Sequence, residues 1–290
     1  MASHLAAQKE RPFTIYTMCG LTGISIGKKY DSDELKKVKE LFTQILLAHE
    51  ERGREATGVI AVWPDSRYII VKDSLPASEF VKTPAYLDFI GKLDGNVRTL
   101  LGHTRAPTKG NVRNDSNNHP LIIGNTVGVH NGTIKNDDAL FKNENIKRIG
   151  EVDSEVIFSM LDNIHHKCNY HSHSNCFVSE VQACTQKMTG SFTTISINLE
   201  HPHELLLLKY NQPLSYHYSK PLDTLFFTSR YVFLRKAFGR AVLTEALPSR
   251  SAYLFDLFAN TAPKGQPVLQ FPITSANNDA VHYPGHAAAN

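Results

Sequence analysis

The chain has 290 residues, of which 41% are hydrophobic, and a formal charge of +3. That is enough apolar material for one large domain, or two small ones, and too little net charge to argue for nucleic acid or an anionic membrane surface as a partner. Four cysteines are too few for a disulfide scaffold, no secretory signal is legible, and no window reaches the roughly 18 apolar residues of a membrane span, so reduced thiols and a cytoplasmic location are expected.

Residues 1–18 carry Lys9, Glu10 and Arg11 where a signal would need apolar residues, and they read as a prosegment or an alternative-start extension ending on Met18. A short strand is predicted over 21–27. Asp31 with Glu34 three positions later reads as a capping box, and Leu35, Val38, Leu41, Phe42, Ile45 and Leu46 repeat at the spacing of one apolar helix face. That helix stops near Gly53. Strands follow at 59–63 and 68–72, separated by Pro64-Asp65-Ser66 as a turn, then a helix over 84–93. Residues 97–103 and 126–130 read as strands flanking a long polar loop, 105–119, of a size that is more often functional than idle. Helices are predicted over 154–164 and 177–188, and strands over 192–197, 204–209 and 225–228. Strands dominate the middle with helices interspersed, an α+β pattern. Residues 258–290 lose periodicity and read as an irregular C-terminal tail.

Cys19, directly behind Met18, is the residue with the most chemical potential. A thiol becomes a good nucleophile as its thiolate, with a free pKa of about 8.5, and so needs a base. If Cys19 were the first residue, its own α-amine, pKa about 7.7 to 8.0, could serve; the same nitrogen in a peptide bond cannot. Taken alone, a lone cysteine is a buried structural thiol, and Asn131-Gly132 is a hairpin turn.

Four further segments accompany Cys19-Gly20-Leu21-Thr22-Gly23-Ile24. They are Arg52 to Gly58, Gly102 to Gly110, Val129-His130-Asn131-Gly132-Thr133-Ile134, and Val152 to Ile157. In order and spacing the five resemble the class II glutamine amidotransferases, members of the N-terminal nucleophile hydrolases, such as the glutaminase domains of glucosamine-6-phosphate synthase and amidophosphoribosyltransferase. The resemblance covers residues 19–257. It implies a four-layer αββα sandwich, Cys19 as nucleophile, and an oxyanion hole from the Asn131 side chain and the Gly132 N–H. It also implies Arg105 and Thr108 on the carboxylate of L-glutamine, Asp153 on its ammonium, and Arg52 near the nucleophile. The loop departs from the synthase pattern, with Ala106-Pro107-Thr108-Lys109 where tryptophan and histidine follow the arginine, and Lys109 is expected to face solvent.

The function so implied is a glutaminase that hydrolyses L-glutamine to glutamate and ammonia through a cysteinyl thioester and passes the ammonia to a separate synthase subunit. No cofactor is implied. Two alternatives stand beside it: a catalytically silent binding protein if residues 1–18 stay attached, and an amidohydrolase of the same fold acting on another amide. A second cluster, His165, His166, Cys168, His171, His173, Cys176 and Cys184, offers zinc-ligand chemistry but reproduces no recognised zinc spacing, so no metal is assigned.

Overall fold

The computed structural model describes residues 18–276. Among these, two antiparallel sheets and seven α-helices account for the fold. The seven-stranded sheet is built from β1 (Gly20–Ile26), β2 (Ala56–Val62), β3 (Tyr68–Asp73), β4 (Thr99–Arg105), β9 (Ser215–Ser219), β10 (Thr224–Thr228) and β11 (Glu245–Ala246). Its strands lie in the order β11-β9-β10-β1-β4-β2-β3. The six-stranded sheet contains β5 (Leu121–Ile123), β6 (Thr126–Ile134), β7 (Gly190–Asn198), β8 (His201–Tyr210), β12 (Ser251–Asp256) and β13 (Leu269–Pro272). Its order is β13-β12-β8-β7-β6-β5.

Three apolar cores explain how the elements stack. One lies between the sheets, where Leu21, Leu101 and Phe227 of the first meet Val129, Ile195 and Leu207 of the second. A second joins the outer face of the seven-stranded sheet to α1 (Ser32–His49), α3 (Pro84–Lys92) and α7 (Tyr231–Phe238), through Ile24, Phe42, Phe89 and Leu234. A third joins the outer face of the six-stranded sheet to α5 (Ser154–Lys167) and α6 (Asn175–Lys187), through Phe158, Phe177, Phe192 and Leu208. Both faces of each sheet are therefore covered, and central strands such as β1, β2 and β4 are buried along their whole length. Such strands carry apolar and small residues on both faces instead of alternating. Two short helices, α2 (Ala77–Phe80) and α4 (Asp137–Asn143), complete the set.

The capping box at α1 forms as its residues predict. Asp31 accepts from the Asp33 and Glu34 N–H groups, and Glu34 accepts from the Asp31 N–H.

Two expectations need correction. The 258–290 stretch is not irregular throughout: β13 pairs with β12, and Phe271 and Ile273 are buried. This short strand escapes a periodicity reading because it is an edge, with only alternate residues inside. Nor are all four cysteines free thiols, since Cys168 and Cys176 form a disulfide that closes the turn between α5 and α6. Residues 1–17 of the proposed prosegment, and 277–290 of the tail, lie outside the described residues. No helix among the described residues is long and apolar enough to cross a membrane.

Candidate active site

Cys19 stands immediately before β1, which places it by strand register. Gly20 faces Thr104 of β4, so the thiol sits beside the point where the chain leaves β4 through Arg105 and Ala106. The sulfur lies 3.4 Å from the Ala106 nitrogen, which donates to it, and 3.5 Å from the Ala106 oxygen. On the other side Arg52 Nε donates to the Cys19 carbonyl at 2.9 Å. Arg52 reaches it because Gly53 packs directly on the backbone of Arg105; a Cβ at Gly53 would come within 2.4 Å of the Arg105 carbonyl carbon.

One narrow cleft brings together Cys19, Arg105, Thr108, Gly132 and Asp153, with His119 and His130 also lining it. Five of the seven residues singled out in the sequence therefore line it. Of the other two, Arg52 touches Cys19 from behind, and Asn131 is buried next to Gly132 on β6 with its Nδ2 lacking a hydrogen-bond partner. A buried donor left unpaired costs about 1–3 kcal/mol.

Several local geometries differ from the simple readings. Asn131 and Gly132 are not at a hairpin turn; they lie inside β6, paired with Thr193 and Phe192 of β7. Gly132 has φ +138°, and a Cβ there would meet the Ser191 carbonyl oxygen at 2.0 Å, so only glycine fits this position of the strand. Asp153 occupies the N-cap position of α5 but caps nothing; its Oδ2 accepts from the Ile134 N–H at 2.6 Å, tying α5 to the end of β6. Arg105 is buried, and its guanidinium donates to Asn118 Oδ1 at 2.7 Å and to the carbonyls of Lys109 and Gly110 at 2.6 and 3.0 Å. It thus holds the 106–118 loop closed. Lys109 does not simply face solvent, because it pairs with Asp137 and Asp138 at 2.6 and 3.1 Å. The cleft is about 20 Å³, room for about one water and no more.

Electrostatically the thiol is restrained. Burial pushes the Cys19 thiol up from its ordinary value, opposed by the Ala106 N–H and by the cations of Arg105 and Arg52. The Met18–Cys19 peptide bond is intact in the chain, so the Cys19 nitrogen is an amide here. The site also contains residues that motif reading passed over. His130 hydrogen-bonds Ser154 Oγ at 2.8 Å and leaves Nε2 unpaired, and neither ring nitrogen of His119 has a partner. Burial drives both below the usual imidazole range, so they are neutral. Their only sequence signal is adjacency, His130 to Asn131 and His119 to the end of the polar loop.

No protein-family model matches the chain. The chain is 28% identical over 216 residues to 7-cyano-7-deazaguanine synthase 2 of Sulfurisphaera tokodaii, a match covering 73% of this chain and 43% of the relative. The 7-cyano-7-deazaguanine synthase of Sulfolobus acidocaldarius matches with 26% identity over 217 residues and the same two coverages. A glutamine–fructose-6-phosphate aminotransferase (isomerizing) of Aeropyrum pernix is 25% identical over 202 residues, 68% of this chain and 30% of the relative. The chain thus spans less than half the length of these relatives. Among solved structures, the glutamine phosphoribosylpyrophosphate amidotransferase of B. subtilis superposes with a TM-score of 0.59 at 18% identity, over 82% of this chain and 47% of that one. A second, described as the allosteric regulatory enzyme of purine biosynthesis, gives 0.57 at 17% identity with the same coverages.

The fold is accordingly shared with glutamine amidotransferases, and the relatives are enzymes. The functional expectation is corrected by the same findings. Relatives that match most of this chain are named as synthases of 7-cyano-7-deazaguanine, which overturns the reading of a glutaminase that makes glutamate and ammonia through a thioester for a separate acceptor enzyme. The two alternatives, a silent binding protein and an amidohydrolase of another amide, do not correspond to those names either.

Proposed function

We propose that the chain is part of a synthase of the 7-cyano-7-deazaguanine kind, in which the amidotransferase-like fold provides a cleft that holds L-glutamine. The observation that carries this is the convergence of Cys19, Arg105, Thr108, Gly132 and Asp153 on one cleft. A cyano-forming synthase needs a nitrogen source, and an amidotransferase-like fold supplies a site for one. The remainder of such a protein, which this chain does not span, would carry the deazapurine chemistry.

In this reading residues 19–257 are the working unit, a four-layer αββα sandwich of the N-terminal nucleophile type. Cys19 stands next to the side-chain amide carbon of glutamine, whose oxygen faces Asn131 Nδ2 and the Gly132 N–H. Asp153 takes the ammonium, and Arg105 with Thr108 takes the α-carboxylate. For Arg105 to do so it must release the Lys109 and Gly110 carbonyls, which also opens a cleft otherwise too small for an amino acid. Cys19 needs a base that its own nitrogen supplies only as an amine, so the working form lacks residues 1–18. Intact mass of protein from its host is then expected to begin at Cys19.

The direct test supplies glutamine labelled with ¹⁵N at the amide to host extract or to the reconstituted synthase and weighs the 7-cyano-7-deazaguanine product. Label in the product that disappears with Cys19→Ala is the expected outcome. Label that never arrives, or arrives undiminished with Cys19→Ala, overturns the proposal.

A further inference from the structure

At the end of β8 remote from the Cys19 cleft, five metal-ligating side chains from three separate stretches of chain meet. His201, His203 and Glu204 stand at the start of β8, Asp256 ends β12, and His173 comes from the turn that the Cys168–Cys176 disulfide closes. The donor atoms of His201, His203 and Glu204 all lie within 4.8 Å of one another, and so do those of His173, Glu204 and Asp256. Glu204 is common to both triads. His173 Nε2 is 3.3 Å from Glu204 Oε1, and His203 Nε2 is 3.9 Å from Asp256 Oδ2.

Two features ask for a cation at this point. Glu204 and Asp256 are directly opposite each other in the β8–β12 register, an arrangement of like charges that destabilises a strand pair unless something positive lies between them. The Glu204 side chain is only 11% exposed, and its Oε2 is buried with no hydrogen-bond partner. A buried carboxylate oxygen in that state is expensive to keep.

We propose that this cluster binds one divalent transition-metal ion of the Zn²⁺ class through Glu204, the ligand common to both triads, with further donors drawn from His201, His203, His173 and Asp256. Neutral imidazoles with carboxylates are the ligand set such ions prefer, and two carboxylates balance the charge of one dication. An alkaline-earth ion fits less well, because it would want oxygen from most of its ligands. The ion fastens the disulfide-closed turn between α5 and α6 to β8 and β12, which pair with each other inside the six-stranded sheet. The site is separate from the cleft: from His201 to Lys209, which lies opposite Thr193 and hence one pair from Asn131, β8 runs about 27 Å at ~3.4 Å per residue. Of the histidines and cysteines over 165–184, His173 contributes to this site, while Cys168 and Cys176 pair with each other and Cys184 packs on Met160.

The rival is a set of histidine–carboxylate ion pairs that needs no metal. The full chain, stripped with EDTA and dialysed, is titrated with Zn²⁺ by calorimetry, and Co²⁺ is used as a visible-absorption probe of ligand type. One equivalent of Zn²⁺ per chain is expected, with a rise in thermal midpoint and a Co²⁺ spectrum that lacks a thiolate charge-transfer band. Glu204→Gln and His203→Ala should each weaken binding at least tenfold, while Cys19→Ser leaves it unchanged. Midpoints of the variants in EDTA report whether they fold. If a variant does not, the wild-type stoichiometry and Co²⁺ spectrum, together with the milder His201→Asn, decide. No zinc-induced shift at a tenfold excess of metal, or full binding retained by Glu204→Gln, overturns the site in favour of ion pairs alone.

Discussion

The thiol of Cys19 is held between opposing influences, and the balance is measurable. Burial raises its pKa, while the Ala106 N–H, Arg105 and Arg52 lower it, and burial prevails. In the chain with residues 1–18 attached, the rate of alkylation by iodoacetamide should therefore inflect above the pH of about 8.5 typical of a free thiol, because the reactive thiolate appears only as the proton leaves. Arg52→Gln should move that inflection higher still, by removing a cation that favours the thiolate. An inflection at or below 8 would show that the site activates the thiol without help from its amine. Asn131 gives a second expectation at the same scale. Its Nδ2 is unpaired and, in the proposed reaction, would take the developing negative charge, so Asn131→Ala should slow label transfer by about 10²–10³-fold with little change in stability. A large loss of thermal midpoint instead would identify Asn131 as a packing residue.

Elements are where sequence reading and structure part company. The α1 capping box was legible because its residues act on their own backbone; Asp31→Ala should lower stability by about 1 kcal/mol in urea titrations. The cleft residues were legible as motifs because each lies in a short contiguous run, and strand pairing then brings the runs together. What could not be read is whatever depends on a distant partner. Asp153 sits at the N-cap position of α5, yet its side chain serves β6, accepting from the Ile134 N–H. Arg105 looks like a free fork, yet the loop carbonyls occupy it. β12 and β13 lacked a signal for a related reason: one is buried on both faces and the other is a short edge, so neither alternates over enough residues. Gly132 has φ +138° with the Ser191 oxygen close behind it. Gly132→Ala should accordingly both destabilise the protein and remove the donor geometry, which the Asn131→Ala variant does not.

Across the whole molecule, the layers are joined by buried histidines whose protonation the fold cannot accommodate. His49 on α1 bonds the Ile45 carbonyl at 2.8 Å and Thr228 Oγ1 of β10 at 3.1 Å, and its ring meets Phe233 of α7 edge-on. It therefore joins the outer helices to the seven-stranded sheet. His103 on β4 bonds the His130 carbonyl on β6 at 3.0 Å, linking one sheet to the other. Burial depresses both from 6.5 to about 3. Between those values the unfolded chain takes up protons that the folded chain refuses, so stability rises with pH through the window. The contribution is fully present above about pH 6.5 and is lost as pH falls toward 3. Each histidine adds a limiting slope of about 1.4 kcal/mol per pH unit. Urea unfolding at pH 7, 6 and 5 should show a stability that falls progressively more steeply, and His103→Gln, which can keep one hydrogen bond without titrating, should make the fall shallower by about one histidine's share. An unchanged slope in that variant would place the acid sensitivity elsewhere and leave the junction between the sheets without its proposed proton-linked element.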